Sequence, residues 1–548
     1  MAASDGLNQA PPLEAYDLYA ENLPLAEALR REGGAWAETA ASAFGSLLGD
    51  EALAWGVEAN RNPPVLRALD RSGRRLDEVE FHPAWHRLLA LGVEHGLHAL
   101  PWRQPGPGAH VARAALFTML AGVEAGVGCP LSMTYAAVPA LRATADLAAE
   151  WEPLLTASDY DPRPVPAGEK AGALCGMGMT ERQGGSDVRA NLTSATPLRG
   201  GEYVLEGHKW FCSAPMCDAF LVLAQAPPGL SCFLLPRILP DGARNGVHLV
   251  RLKDKLGNRS NASAEIELHG ALARLVGEEG RGVQAIAEMI NHTRLDCVLG
   301  TAGLMRAAVA EATHYAAHRT SFGRRVIDHP LQRNVLADLC LESEAATATA
   351  MRLARAYDEA ALDEAQAHFR RLATAVAKYW VCKRGPALTA EALECLGGNG
   401  FVEDFGVARL YRESPLNSIW EGTGNVNCLD VLRILAKTPA AREAFLAELA
   451  LSAGGDERLD RFVSGLAGAL ARPDEGSARR LVGALALALQ GSLLVRHAPA
   501  AVADAFCASR LSGDGGLAFG TLPAGLELEA IVERHRPHAR AEAGARAG

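Results

Sequence analysis

The sequence predicts an α+β multidomain protein: a helical N-terminal domain over residues 1–175, a small all-β domain over 176–277, a helical bundle over 278–438 and an appended helical segment over 439–548. Three observations carry this. Between about Cys175 and Gly277 the Ala- and Leu-rich texture gives way to short β-branched runs bounded by Gly, Pro, Asn and Asp. From Val283 to Arg319 apolar residues recur at 3–4 spacing for about ten turns, long for a globular helix. Thr438-Pro439 then breaks the helical run, because proline has no amide hydrogen to continue it.

Each element follows from local pattern. In the N-terminal domain Leu25–Arg31, Ala35–Leu48, Pro83–Leu97, Ala109–Glu124 and Leu141–Trp151 read as helices, with PWRQPGPG at 101–108 as a break. Trp85 and Trp102 read as core. The strands are EYVLEGHKWFCS, DAFLVLAQ, LSCFLLPR, GVHLVRL and SAEIELHG. After the long helix, RTSFGRRVIDHPLQ at 319–332 forms a turn. Pro330 opens a second helix that runs to Tyr357. A third runs from Leu362 to Leu396, where GGNGF at 397–401 stops it, and a fourth from Asn425 to Leu435. Long helices with short links predict a bundle.

Composition excludes several classes. The net charge of −10 over 548 residues argues against a strongly basic nucleic-acid binder or an anionic-membrane binder, though not against a local basic patch. The N-terminus lacks a charged-then-apolar leader pattern. Leu481–Val495 is too short for a bilayer and reads as a buried helix, so no membrane partner is expected. The eleven cysteines include no CxxC pair, which predicts reduced, mostly buried thiols, a cytoplasmic location and no metal site. From Pro439 to the end there are 12 Arg, no Lys and 13 Asp plus Glu, with a basic, frayed final stretch.

Two stretches carry chemistry. GMTERQGGSDVRA, 178–190, offers hydroxyls at Thr180 and Ser186, close backbone approach at Gly184 and Gly185, and a turn cap at Asp187, which suits a polar cofactor edge or a phosphate. It is not a dinucleotide-fold glycine motif. NSIWEGTGN, 417–425, places Glu421 after Ile419 and Trp420. A carboxylate against such apolar surface rises in pKa and becomes a competent base for a weak carbon acid. On its own the stretch also reads as a helix N-terminus with Glu421 at the positive dipole end. Trp210, Phe211 and Ser213 on a strand read either as a platform for a planar ring or as barrel core.

These motifs, in this order, resemble the acyl-CoA dehydrogenase superfamily over about residues 80–437. The flavin-loop motif at 178–190, ECLGGNGFVEDFGVARLYRE at 394–413 and RTSFG with Gln332 downstream carry the resemblance. MTERQGGSDV, EGHKWFCS, LSCFLLPR, LPDGARN, RLKDKLGNRSNAS and NSIWEGTGN resemble its AidB branch, the alkylation-response flavoproteins. The resemblance implies a middle β-barrel between helical domains, FAD, a homotetramer, and an added C-terminal helical domain associated with double-stranded DNA.

By matching positions it implies that Glu421 is the catalytic base. Met177, Met179, Thr180, Gly185 and Ser186 would contact the flavin and ribityl chain, and Phe211 and Ser213 would lie behind the isoalloxazine. Ile419 and Trp420 before the glutamate, and Thr423 and Asn425 after it, would flank the cofactor. Arg319, Phe322, Gln332, Gly397 and Gly398 would meet the adenosine and pyrophosphate end. The implied reaction is α-proton abstraction from an acyl-CoA, short or branched such as isovaleryl-CoA, with β-hydride transfer to flavin N5. The electron acceptor, an electron-transfer flavoprotein or oxygen, is left open. The alternative is a DNA-binding protective flavoprotein with weak dehydrogenase activity, using Arg472, Arg479, Arg480 and Arg496.

Overall fold

The computed structural model describes residues 7–538, so the last basic residues from 539 onward lie outside the described chain. The chain gathers into two compact units. One comprises Ala54–Pro105 and Glu124–Thr293; the other takes the chain up to Leu53, Gly106–Val123 and everything from Arg294 onward. The predicted N-terminal domain is therefore divided between the units, and the appended segment shares a unit with the bundle.

In the first unit the region read as wholly helical contains a hairpin, β1 (Val65–Leu69) and β2 (Arg75–Glu80). The cause is local. Pro63-Pro64 end the preceding helix. Asp70 then accepts from the Ser72 and Arg74 amides at 2.7 and 2.9 Å, making a tight turn at DRSG. The predicted helix over Leu141–Trp151 is also corrected. Helices Gly128–Leu141 and Ala145–Leu155 lie on either side of a break at 142–144, with Thr144 as N-cap in extended conformation.

The all-β region runs from β3 (Cys175–Gly178) through β4 (Ser194–Pro197), β5 (Glu202–Ser213), β6 (Ala219–Ala226), β7 (Gly229–Pro236) and β8 (Val247–Leu252) to β9 (Ser263–Val276). β6, β4, β5, β9 and β7 pair around a closed ring, which is the barrel; β3 adds to β6 and β8 to β9. Closure buries both faces of the central strands, so β6 is buried almost end to end rather than alternating. Tyr135, Leu141 and Trp151 pack with Cys175, Leu221 and Leu234 in one core beside it.

The second unit is helical: α1 (Ala109–Val123), α2 (Ala287–His318), α3 (Pro330–Glu359), α4 (Glu364–Cys395), α5 (Gly424–Lys437), α6 (Pro439–Ala450), α7 (Glu457–Ala471), α8 (Ala478–His497) and α9 (Leu528–His535). Pro330 begins α3 as expected, and the Asp363 carboxylate caps α4 by accepting from the Ala365 amide at 2.8 Å. Arg113 of α1 and Asp296 of α2 form a bidentate pair at 2.6 and 2.7 Å, both fully buried.

The appended helices are stitched to the bundle by buried ions. Glu448 of α6 accepts from Arg352 of α3 and Arg496 of α8, each at 2.6 Å. Arg534 of α9 pairs with Glu344 of α3 at 2.9 Å. α8 is the one helix among the described residues long and apolar enough to meet the dimensions of a membrane span, and most of it is buried in this unit. All eleven cysteines are free, and all but Cys395 are buried.

Candidate active site

In the barrel unit the loop 178–190 is anchored from below. Glu181 and Gly184 exchange backbone hydrogen bonds at 3.0 and 3.1 Å, and a Cβ on Gly184 would stand 2.9 Å from the Asp187 carbonyl, so glycine is required there. Asp187 caps the short turn that follows, as expected. The Glu181 side chain points inward and accepts from Lys209 Nζ at 2.6 Å, the Thr193 hydroxyl at 2.5 Å and the Leu192 amide at 2.6 Å. Burial alone would push this carboxyl up; Lys209, Thr193 and Leu192 outweigh it and hold it at about 2. The loop surface presents Thr180 and Ser186, whose hydroxyls take up no protein partner, and the open Gly185.

Strand β5 runs beside this loop, its Trp210 amide donating to the Thr180 carbonyl at 2.8 Å. The pairing of β5 with β9 shifts between Lys209 and Cys212. This bulge turns Phe211 outward, 47% exposed. Trp210 is not barrel core: Lys253 Nζ lies 3.3 Å from its ring centroid. Ser213 is half-buried with its hydroxyl 3.3 Å from that of Ser263. Met177 and Met179 are half-buried against the barrel-side core.

Lys209→Met is expected to destabilise the protein by about 3–5 kcal/mol, because a charged Glu181 is left buried without its cation. Adding Glu181→Gln should recover part of that loss in denaturant melts. The sign with pH follows from the lowered carboxyl. Its contribution is complete above the ordinary value of 4.5 and is lost as pH falls through about 2.

In the helical unit Glu421 sits on a turn of unusual backbone. Glu421 has φ +57° and Gly422 φ +96°. A non-glycine residue there costs about 1–3 kcal/mol and persists only when its surroundings over-determine it. They do. Lys378 Nζ, buried, donates to the carbonyls of Trp420 at 2.7 Å and Gly422 at 2.5 Å. Arg294 Nε donates to the Glu421 carbonyl at 3.1 Å, and the Asn427 amide to that of Gly422 at 2.7 Å.

Arg294 is itself held by Asp430 at 2.6 Å, which Arg371 also grips at 2.8 Å. Burial would raise the Asp430 carboxyl; the two guanidinium groups bring it to about 2 instead. Asn417 accepts from the Trp420 indole at 2.9 Å and donates to Thr301 of α2 at 3.1 Å. Burial drives the Cys297 thiol well up, with Lys378 opposing and the Glu421 charge adding to the rise, so the carboxylate lies within electrostatic reach of α2. Ile419 is 57% exposed.

The other predicted residues are distributed. Thr423 and Asn425 are exposed at the start of α5 beside Glu421. Arg319 donates to the Asn8 carbonyl. Phe322 is 97% exposed, Gln332 is half-buried beside the Cys395 thiol, and Gly397 and Gly398 are exposed where α4 ends. The four arginines assigned to DNA do not form one face. Arg496 is corrected: it is tied to Glu448 and the Ser492 carbonyl at the far end of α8. Arg472, Arg479 and Arg480 are exposed around the α7–α8 link. Lys378, Arg294, Asp430, Asn417 and Glu181 were missed. For Lys378 a signal existed, a single cation in the apolar run ATAVAKYWVC.

Comparison with known proteins decides the family. Residues 8–162 match the adaptive response protein AidB N-terminal domain, 176–271 the acyl-CoA dehydrogenase middle domain and 280–436 the acyl-CoA dehydrogenase C-terminal domain. AidB of Escherichia coli is 46% identical over 93% of this chain and 95% of its own. The chain belongs to the acyl-CoA dehydrogenase family, in its AidB branch. A second relative, acyl-CoA dehydrogenase family member 11 of Caenorhabditis elegans, is 33% identical over 72% of this chain and 66% of its own. The crystal structure of Caenorhabditis elegans ACDH-11 in complex with C11-CoA superposes with a TM-score of 0.83 at 26% identity, covering 100% of this chain and 97% of that one.

Acyl-CoA dehydrogenases are FAD-dependent oxidoreductases, and the residues here fit that cofactor. Unpartnered hydroxyls on Thr180 and Ser186, an open glycine and the exposed Phe211 ring suit its polar chain and planar ring. Thr423 and Asn425 add exposed polar groups where the amides of the first turn of α5 favour an anion. Among the described residues no group of three or more His, Cys, Asp or Glu could hold a metal ion.

Proposed function

We propose that the chain oxidises a short or branched acyl-CoA thioester to its α,β-enoyl form, with Glu421 as the base that takes the α-proton. The observation that supports this reading is the Glu421 turn, a strained backbone held through its carbonyls by Lys378, Arg294 and Asn427. FAD, when bound, supplies the two-electron acceptor for the β-hydrogen. By the family's pattern Met177, Met179, Thr180, Gly185, Ser186, Phe211 and Ser213 would hold it, as would Thr423 and Asn425.

The test is anaerobic mixing of the FAD-loaded protein with isovaleryl-CoA, other short and branched thioesters, and C11-CoA. Bleaching of the flavin by a branched or short thioester is expected. Bleaching by C11-CoA alone would move the substrate to longer chains, and no bleaching by any thioester would sink the reading.

Assembly into a homotetramer is part of this proposal. Phe322, Leu331 and Phe401 are 97%, 84% and 84% exposed, apolar surface that a monomer would leave wet. Phe322→Asp should shift the mass seen by light scattering towards smaller species. A second reading, duplex DNA binding, is favoured by the exposed Arg472, Arg479 and Arg480 at one link. It requires salt-sensitive duplex binding that Arg472→Glu/Arg480→Glu weakens with FAD retained; absence of binding at low salt removes it.

A further inference from the structure

Arg479 belongs to the appended segment, in the first turn of α8, yet its side chain ends at the first turn of α5. Its Nε donates to Asn425 Oδ1 at 2.8 Å, across 54 residues of sequence. Asn425 is the second residue of α5, four positions after Glu421. The charge of Arg479 also reaches Tyr379 and Cys428, opposing the rise that burial imposes on both. At the neighbouring Gly424 a Cβ would lie 3.2 Å from Lys383 Cε and 3.4 Å from the Tyr379 ring.

The docking that delivers Arg479 is built into α8. One turn further on, Gly483 admits the Trp380 ring, which a Cβ would meet at 3.1 Å. The Trp380 indole then donates to Gln490 at 3.2 Å, fixing the helix along α4.

Among the described residues neither Arg479 nor Lys383 is paired with a carboxylate. Arg479 stands in the first turn of one helix and touches the first turn of another, and both turns already carry positive partial charge. An anion bound beside both turns would be favoured by that charge.

We infer that Arg479 is a positioning residue for FAD: it holds Asn425 and with it the first turn of α5, so the appended segment takes part in cofactor binding. This rests on the reading that Thr423 and Asn425 hold FAD. The test is FAD titration into full-length apoprotein, read by flavin fluorescence and by visible circular dichroism of the bound form. Arg479→Ala should weaken FAD binding roughly tenfold, as expected for loss of a charge-assisted hydrogen bond, and alter the visible dichroism. Arg479→Lys should recover part of both. Arg461→Ala, an exposed arginine on α7, should match the parent protein.

Parent-like affinity and dichroism in Arg479→Ala would overturn the inference while leaving the oxidoreductase reading intact. A parent protein that takes up no FAD would overturn the cofactor reading and this inference together. Equal weakening in Arg479→Ala and Arg461→Ala would show a general charge effect and also overturn it.

Discussion

Replacing Glu421 by Gln is expected to abolish flavin bleaching by any acyl-CoA that reduces the parent protein, with FAD content unchanged. Glutamine keeps the size and most hydrogen bonding of the side chain but has no basic oxygen to take a proton. Loss of a positioned general base lowers rates by about 10²–10⁴-fold. The turn should survive, because its left-handed backbone is held through the carbonyls of residues 420, 421 and 422, not through the Glu421 side chain. The measurement is stopped-flow reduction beside a visible spectrum of the resting protein. A glutamine variant that bleaches at the parent rate would show that another group takes the proton.

Lys378→Met should have the second largest effect on the reduction rate, acting one step removed from the chemistry. Methionine fills much of the same volume but donates nothing to the Trp420 and Gly422 carbonyls, which lie 2.7 and 2.5 Å from the ammonium. Hydrogen bonds from a charged donor contribute about 1.5–3 kcal/mol each. Burying the ammonium is itself costly, so the net loss should be smaller than their sum, about 2 kcal/mol in a denaturant melt. The larger consequence is positional. Without Lys378 the φ of +57° at Glu421 loses two of the bonds that hold it, and a misplacement of about 1 Å can cost roughly a hundredfold in rate. The prediction is a fall in the reduction rate well beyond any change in the concentration of acyl-CoA giving half-maximal reduction. Parent-like rate together with parent-like stability would show that Arg294 and Asn427 suffice to hold the turn.

The parts of this fold that were legible are those written in neighbouring residues. The change of texture at 175 and 277 coincides with the start of β3 and the end of β9, because strand and helix periods differ within a few residues. Pro330 marks a helix start for reasons confined to one turn, and the helix read from Leu362 begins at Glu364. The hairpin at 65–80 was missed although its turn is local, because two short strands beside helical segments give too few alternating positions to outweigh an Ala- and Leu-rich surrounding. Arg496 was misassigned because an arginine in a near-neutral tail looks the same whether it faces solvent or Glu448.

Sequence alone determined which groups could do chemistry here: one glutamate before Gly-Thr-Gly, a hydroxyl-bearing glycine loop, and their order along a helical–β–helical chain. Tertiary structure decided what holds them. Lys378 is 43 residues from Glu421, Arg294 127, and Arg479 54 from Asn425; Glu181 is anchored by Lys209 across a strand. Periodicity reports which face a residue turns inward, but a buried cation finds its partner only after distant helices have docked, and that pairing leaves no trace in either residue's neighbours.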